Sequence, residues 1–165
     1  MSKKSRLNKK NNKKKIYTKN IWLLSWISFF TDISSELIFP ILPIYLQSLG
    51  ITSVTIGAID SFANLFAGFL KYISGAITDK TKNQIAFVRF GYTISAISKP
   101  LLVFFQHPLM IWILRSIDRA GKGIRTTPRD ALLTLESKPE NRGQVFGFHR
   151  SMDSLGATIG PIIAV

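Results

Sequence analysis

Asp32 and Glu36 stand four residues apart in a largely apolar stretch, so on a helix their carboxylates face the same way. A carboxylate at such depth suits proton carriage, because desolvation favours its neutral form and a nearby Arg its ionised form. Basic residues fit for that partnership lie farther along. Arg115, Asp118, Arg119, Lys122, Arg125 and Arg129 occupy about a third of a helix circumference at about 100° per residue, opposite Ile113, Ile117, Ala120, Ile124 and Ala131. Asp60, Asn64, Lys71 and Gly75 share another face, Ser25, Ser28 and Pro43 join Asp32 and Glu36 on theirs, and Arg150 and Asp153 lie three apart. The candidates for proton or ion coupling are therefore Asp32, Glu36, Asp60, Arg115, Asp118 and Arg119. Two readings are open: a water-filled pathway for substrate and ion, or ion pairs that hold helices in register.

Bond-making chemistry finds little support. Gly121-Lys122-Gly123 lacks the earlier glycine of a phosphate loop and falls mid-helix. His107 and His149 have no ligand partners at metal-binding spacing, and the absence of cysteine removes thiolate sites and disulfides. No enzyme activity, cofactor or metal is expected.

The elements that would position these charges are long helices. Residues 1–20 contain nine of the 22 Lys+Arg and no acid, which leaves 13 basic and 9 acidic residues for the rest. The net charge of +13 thus belongs mostly to a tail, expected to be disordered and cytoplasmic, touching anionic lipid and not nucleic acid. No small-residue cleavage site follows the first apolar run, so that run reads as an uncleaved helix. Five stretches approach or exceed the roughly 20 residues that cross a bilayer, at about 21–48, 52–78, 84–106, 108–134 and 143–165. Their breaks are short, which makes sequence neighbours antiparallel. Lys and Arg fall in the tail and in the second and fourth breaks but not in the first and third, the positive-inside pattern with a cytoplasmic N-terminus. Two local features leave alternatives open. Pro40 and Pro43 allow the first span to be two short pieces, and Thr127-Pro128-Arg129-Asp130 resembles a capping box, although a continuous kinked fourth helix is preferred.

Three segments resemble motifs of the major facilitator superfamily. Gly75-Ala-Ile-Thr-Asp79-Lys80 is similar to its loop motif between helices two and three, departing where Lys82 replaces the expected Gly. Arg115-Ser-Ile-Asp118-Arg119-Ala-Gly121 resembles its fourth-helix motif, and Gly147, Gly156, Gly160 and Pro161 reproduce the spacing of the fifth-helix motif of proton-coupled exporters. Longer strings such as FFTDISSELIFPILPIYL also look like a bacterial branch of the superfamily. The resemblance implies an all-α membrane protein: about five transmembrane helices forming the incomplete N-terminal half of the major facilitator fold, truncated in the fifth helix, in a bacterial inner membrane. It implies secondary active transport of a small molecule through a cavity lined by helices one and four, with Gly75, Asp79 and Lys80 as a gating loop. The implied partners are the lipid bilayer, a substrate, a proton or other coupling ion, and the missing C-terminal half. Because helices one and four share the cavity, Arg115 is expected to pair with Asp32 or Glu36. The alternative is a truncated, non-transporting protein acting as an assembly partner or inactive remnant.

Overall fold

Each helix begins and ends where its local chemistry permits. In a computed structural model, which describes residues 16–105 and 107–164, helix α1 spans Lys19–Ser48, α2 Ser53–Thr81, α3 Gln84–Phe104, α4 Pro108–Glu136 and α5 Arg142–Ala164. A 3-10 turn at Pro139–Asn141 joins the last two. Most of the basic tail, residues 1–15, lies outside the described residues, as does Val165.

Thr18, Thr52 and Asn83 cap α1, α2 and α3 by accepting hydrogen bonds from Ile21 N, Thr55 N and Ala86 N. His107 caps α4 through Nδ1, which accepts from Leu109 N at 3.3 Å, with Pro108 at the first helical position. The isolated histidine thus has a structural task. Helix α1 stops at Gly50, whose φ of 84° lets Ile51 N reach back to Leu46 O at 3.1 Å. Lys82, where the loop motif expects glycine, has a φ of 52°. The expected glycine therefore has a backbone cause: this position is left-handed, and a side chain there costs roughly 1–2 kcal/mol. Pro40 and Pro43 lie inside one unbroken α1, and α4 continues through Pro128, so neither span is divided.

Three helix pairs pack extensively: α1 with α5, α3 with α4, and α2 with α4. Paired positions rise together in the first, Ser25 beside His149, Phe29 beside Gly156 and Ile33 beside Gly160, so α1 and α5 run parallel. Helix α2 is parallel to α4 by the same logic, with Ala67 against Gly123 and Gly75 against Thr127, while α3 runs antiparallel to α4. The backbones of α1 and α4 meet only sparsely, and long polar side chains cross between them.

Burial is inverted relative to a water-soluble bundle. Val54 is 82%, Leu65 73% and Tyr72 77% exposed, whereas Ser25, Ser28, Asp32, Arg115, Asp118, Arg125, Arg129 and His149 are buried. Turning large apolar groups outward is stable where the surroundings are hydrocarbon, and polar groups then collect inside. By length and composition, α1 and α2 each suffice to cross a membrane.

Candidate functional site

A line of ion pairs runs along the space between α1 and α4. The helices are antiparallel, so their partners pass each other in order. Near the α1 N-terminus, Thr18 Oγ1 donates to Glu136 at 2.9 Å and Asn20 Nδ2 at 2.6 Å. Arg129 donates to Ser28 Oγ at 2.8 Å, and Ser28 Oγ lies 2.7 Å from Tyr92 Oη. Asp32 follows, with Lys122 Nζ at 3.1 Å and Arg125 at 3.8 Å. Glu36 lies 3.7 Å from Arg119. Arg115 comes level with Phe39 and stacks over its ring at 5.5 Å.

That register corrects one expectation. Arg115 pairs with Asp60 of α2 at 3.4 Å, not with Asp32 or Glu36. It sits one helical turn past Glu36, and a turn is about 5.4 Å, enough to give Glu36 to Arg119. The fourth-helix charges therefore serve all four other helices: Arg115 reaches α2, Arg119 and Lys122 reach α1, Asp118 meets Lys99 of α3 at 3.8 Å, and Arg129 and Asp130 reach α5.

Lys99 is the functional-looking residue that stripe analysis missed. Its ammonium also donates to Thr31 O at 3.1 Å, tying α3 to α1. The signal was present, since Tyr92, Ser95 and Lys99 recur at helical spacing, and Ser95 and Tyr92 prove to hold Arg125. Arg125 donates to Ser95 Oγ at 2.7 Å and its guanidinium lies 4.6 Å over the Tyr92 ring.

Toward the α5 N-terminus a second cluster continues from Arg129, which lies 3.4 Å from Asp153 and 3.3 Å from Asp130. Asp130 also meets Arg150 at 3.6 Å. His149 is fully buried, with Nδ1 3.1 Å from Ser25 Oγ and Nε2 3.6 Å from Asp153. No group of His, Cys, Asp or Glu suited to hold a metal is found among the described residues.

The fifth-helix glycines divide. A Cβ on Gly156 would come within 2.6 Å of Phe29 O, and one on Gly160 within 2.7 Å of Ile33 O, so both seat α5 on the α1 backbone. Gly143 and Gly147 face nothing within 4 Å, so no second small-residue contact is made there among the described residues. At the other motif, a Cβ on Gly75 would approach Thr127 Cγ2 to 2.9 Å, placing α2 against α4, while Asp79 and Lys80 are exposed. Asn64 and Lys71 are also exposed, so the polar face read on the second span is only partly turned inward. An apolar cleft of about 450 Å³ opens between α1 and α3, lined by Leu24, Ile27, Val88 and Tyr92; it does not contain Asp32 or Glu36.

The profile of the Major Facilitator Superfamily matches residues 24–165. The chain belongs to that superfamily. An uncharacterised MFS-type transporter of Methanocaldococcus jannaschii is 38% identical over 96% of this chain and 40% of its own length. An uncharacterised protein of Mycobacterium tuberculosis is 31% identical over 71% of this chain and 29% of its own. The multidrug resistance protein MdtH of Yersinia enterocolitica is 27% identical over 77% and 32% respectively. The chain thus spans less than half the length of these relatives. Membership makes it a multi-pass membrane protein of a transporter superfamily and not an enzyme.

Proposed function

We propose that the chain is part of a secondary active transporter in which a small molecule passes between α1 and α4, with transport coupled to protons at Asp32 and Glu36. The observation that carries this reading is the α1–α4 seam. Two helices whose backbones barely touch are bridged at mid-height by charges from both sides. Ion pairs are poor permanent glue at membrane depth, because the desolvation they require offsets much of their attraction. They serve better as contacts that are made and broken. A cation withdrawn from Asp32 or Glu36 leaves a carboxylate free to take a proton, and its return expels that proton. The test is accumulation driven by a pH gradient in vesicles containing the whole protein, comparing the native chain with the Asp32 and Glu36 variants argued in the Discussion.

The Lys/Arg asymmetry supports an orientation with the N-terminus and the α2–α3 and α4–α5 connections in the cytoplasm. Because the chain contains no cysteine, Lys9→Cys, Lys82→Cys, Ser48→Cys and His107→Cys each supply its one thiol, in a protein whose cysteines elsewhere are replaced by serine. An impermeant thiol reagent on intact cells should label the cysteines at 48 and 107, and reach those at 9 and 82 only after permeabilisation. Labelling at 82 but not at 48 would reverse the topology.

Asp79, at the end of α2, is proposed to stabilise the state closed toward the cytoplasm, with Gly75 holding that end of α2 on α4. Asp79→Asn should lower transport by about fivefold or more at unchanged expression, the size of an ordinary conformational coupling. Wild-type transport by that variant would remove the role.

A further inference from the structure

Sequence alone leaves the sign of the transported solute open, since the same helices carry both acids and bases. Pairing decides it. The six carboxylates in the helix interiors are all engaged from within the chain: Asp60 by Arg115, Glu36 by Arg119, Asp118 by Lys99, Asp153 by Arg129, and Asp130 by Arg129 and Arg150. Asp32 alone has two cations of α4, Lys122 and Arg125.

Those two cations differ in freedom. Arg125 has a side chain only 2% exposed, fixed by Ser95 and by the Tyr92 ring, and stays beside Asp32 whatever Lys122 does. Lys122 has a side chain 38% exposed on a flexible four-carbon stem, with Asp32 as its one polar side-chain partner among the described residues. It is the dispensable member of the pair. Its place on the helix gives it access. Helix α2 seats on α4 at Gly123 and α3 seats on it at Gly121, so the stripe of Arg115, Arg119, Lys122 and Thr126 between those seats faces the space toward α1. One turn along that stripe, Arg119 Nε is buried without a hydrogen-bond partner among the described residues.

We propose that Lys122, assisted by Arg119, binds an anionic group, a carboxylate, phosphate or sulfonate, of the transported small molecule. A cationic solute that took Asp60, Glu36 or Asp153 would strip a largely buried Arg of its carboxylate, one that took Asp118 would strip Lys99, and one that took Asp32 would still face Arg125 at 3.8 Å, whereas an anion needs only Lys122 to turn from Asp32. This inference rests on the transport reading and deepens it, because the same turn releases Asp32 from one of its two cations.

The test needs no knowledge of the solute. Thr126→Cys puts a thiol one turn from Lys122 in a chain without other cysteines, and any cysteine elsewhere in the whole protein is replaced by serine. Its reaction rate with anionic 2-sulfonatoethyl methanethiosulfonate and with the cationic 2-(trimethylammonium)ethyl analogue is measured on the whole protein, each relative to free cysteine. A lysine one helical turn away, about 6 Å, in watery surroundings should favour the anionic reagent by roughly tenfold. Adding Lys122→Gln should erase that preference, and Lys122→Arg should keep it. Preference for the cationic reagent, a preference that survives Lys122→Gln, or no reaction with either reagent on the folded protein would overturn the proposal. Proton coupling is not read by this experiment, so its failure and that of the Asp32 reading are separable.

Discussion

Asp32→Asn should abolish pH-gradient-driven accumulation while substrate exchange continues at normal expression. One pH unit across the membrane is worth about 1.4 kcal/mol per proton, a tenfold accumulation, and the variant should lose all of it. Asparagine keeps the shape of the side chain but can no longer gain or lose the proton. The structure also says why the protein should still fold. Arg125 keeps its bond to Ser95 and its seat over Tyr92, Lys122 is already part-exposed, and the amide oxygen of asparagine can still accept a hydrogen bond from either cation. Were Asp32 a purely structural anchor, removing it would cost a few kcal/mol and show as less folded protein, with the remaining protein still coupled. Glu36→Gln is the companion, since among the described residues Glu36 has Arg119 as its one ion-pair partner. Retention of gradient-driven accumulation by both variants at normal expression would end the proton-site reading.

The contrast between what could and could not be read from the residues has a common physical cause. The approximate extent of each helix was legible because apolar stretches and their polar breaks are local: the spans read at 21–48, 52–78, 84–106, 108–134 and 143–165 lie within three residues of the helix ends, which Thr18, Thr52, Asn83, Pro108 and Gly50 then fix. The polar stripe of α4 was legible for the same reason, since helical periodicity alone gathers Arg115, Asp118, Arg119, Lys122, Arg125 and Arg129, of which Arg119 and Lys122 are half-buried and the other four buried. Partner choice was not. It depends on how far one helix slides past another, and one turn of slip moves Arg115 from Glu36 to the level of Phe39. The docking points that set the slide are small residues, Gly121 and Gly123 on α4 and Gly156 and Gly160 on α5, whose nearest contacts are mostly backbone atoms; spacing within one helix does not say which residues of another, such as Gly91 opposite Gly121 or Ala67 opposite Gly123, they meet. Lys99 escaped for a different reason. Lys99 and Arg89 lie ten residues apart on an otherwise mild helix and make no dense charged stripe, and the meaning of Lys99 comes from Asp118 and Thr31 on two other helices.

Substitution of the α5 glycines should separate docking from mere presence in a motif. Alanine in a helix interior is favoured over glycine by about 0.8–1.0 kcal/mol when nothing obstructs it. At Gly147 nothing lies within 4 Å, so Gly147→Ala should be neutral or stabilising by up to that amount. At Gly156 the new methyl meets Phe29 O at 2.6 Å, and at Gly160 it meets Ile33 O at 2.7 Å and Leu37 N at 2.9 Å. These are backbone atoms inside a hydrogen-bonded helix, and they cannot rotate away as a side chain could. Relief requires α5 to move off α1, which disturbs Ser25 against His149 along the same interface. Overpacking of this kind costs about 1–3 kcal/mol, which exceeds the propensity gain. Gly156→Ala and Gly160→Ala should therefore lower the unfolding midpoint of the purified protein in detergent, and Gly156→Leu should lower it further. Equal losses at Gly147 and Gly156 would mean that α5 lies on α1 by a different face. The predicted split carries a functional corollary. If α1 carries the proton site, the helix seated on it by two glycines moves with it, and α1 and α5 shift together against α4 as the charged seam opens.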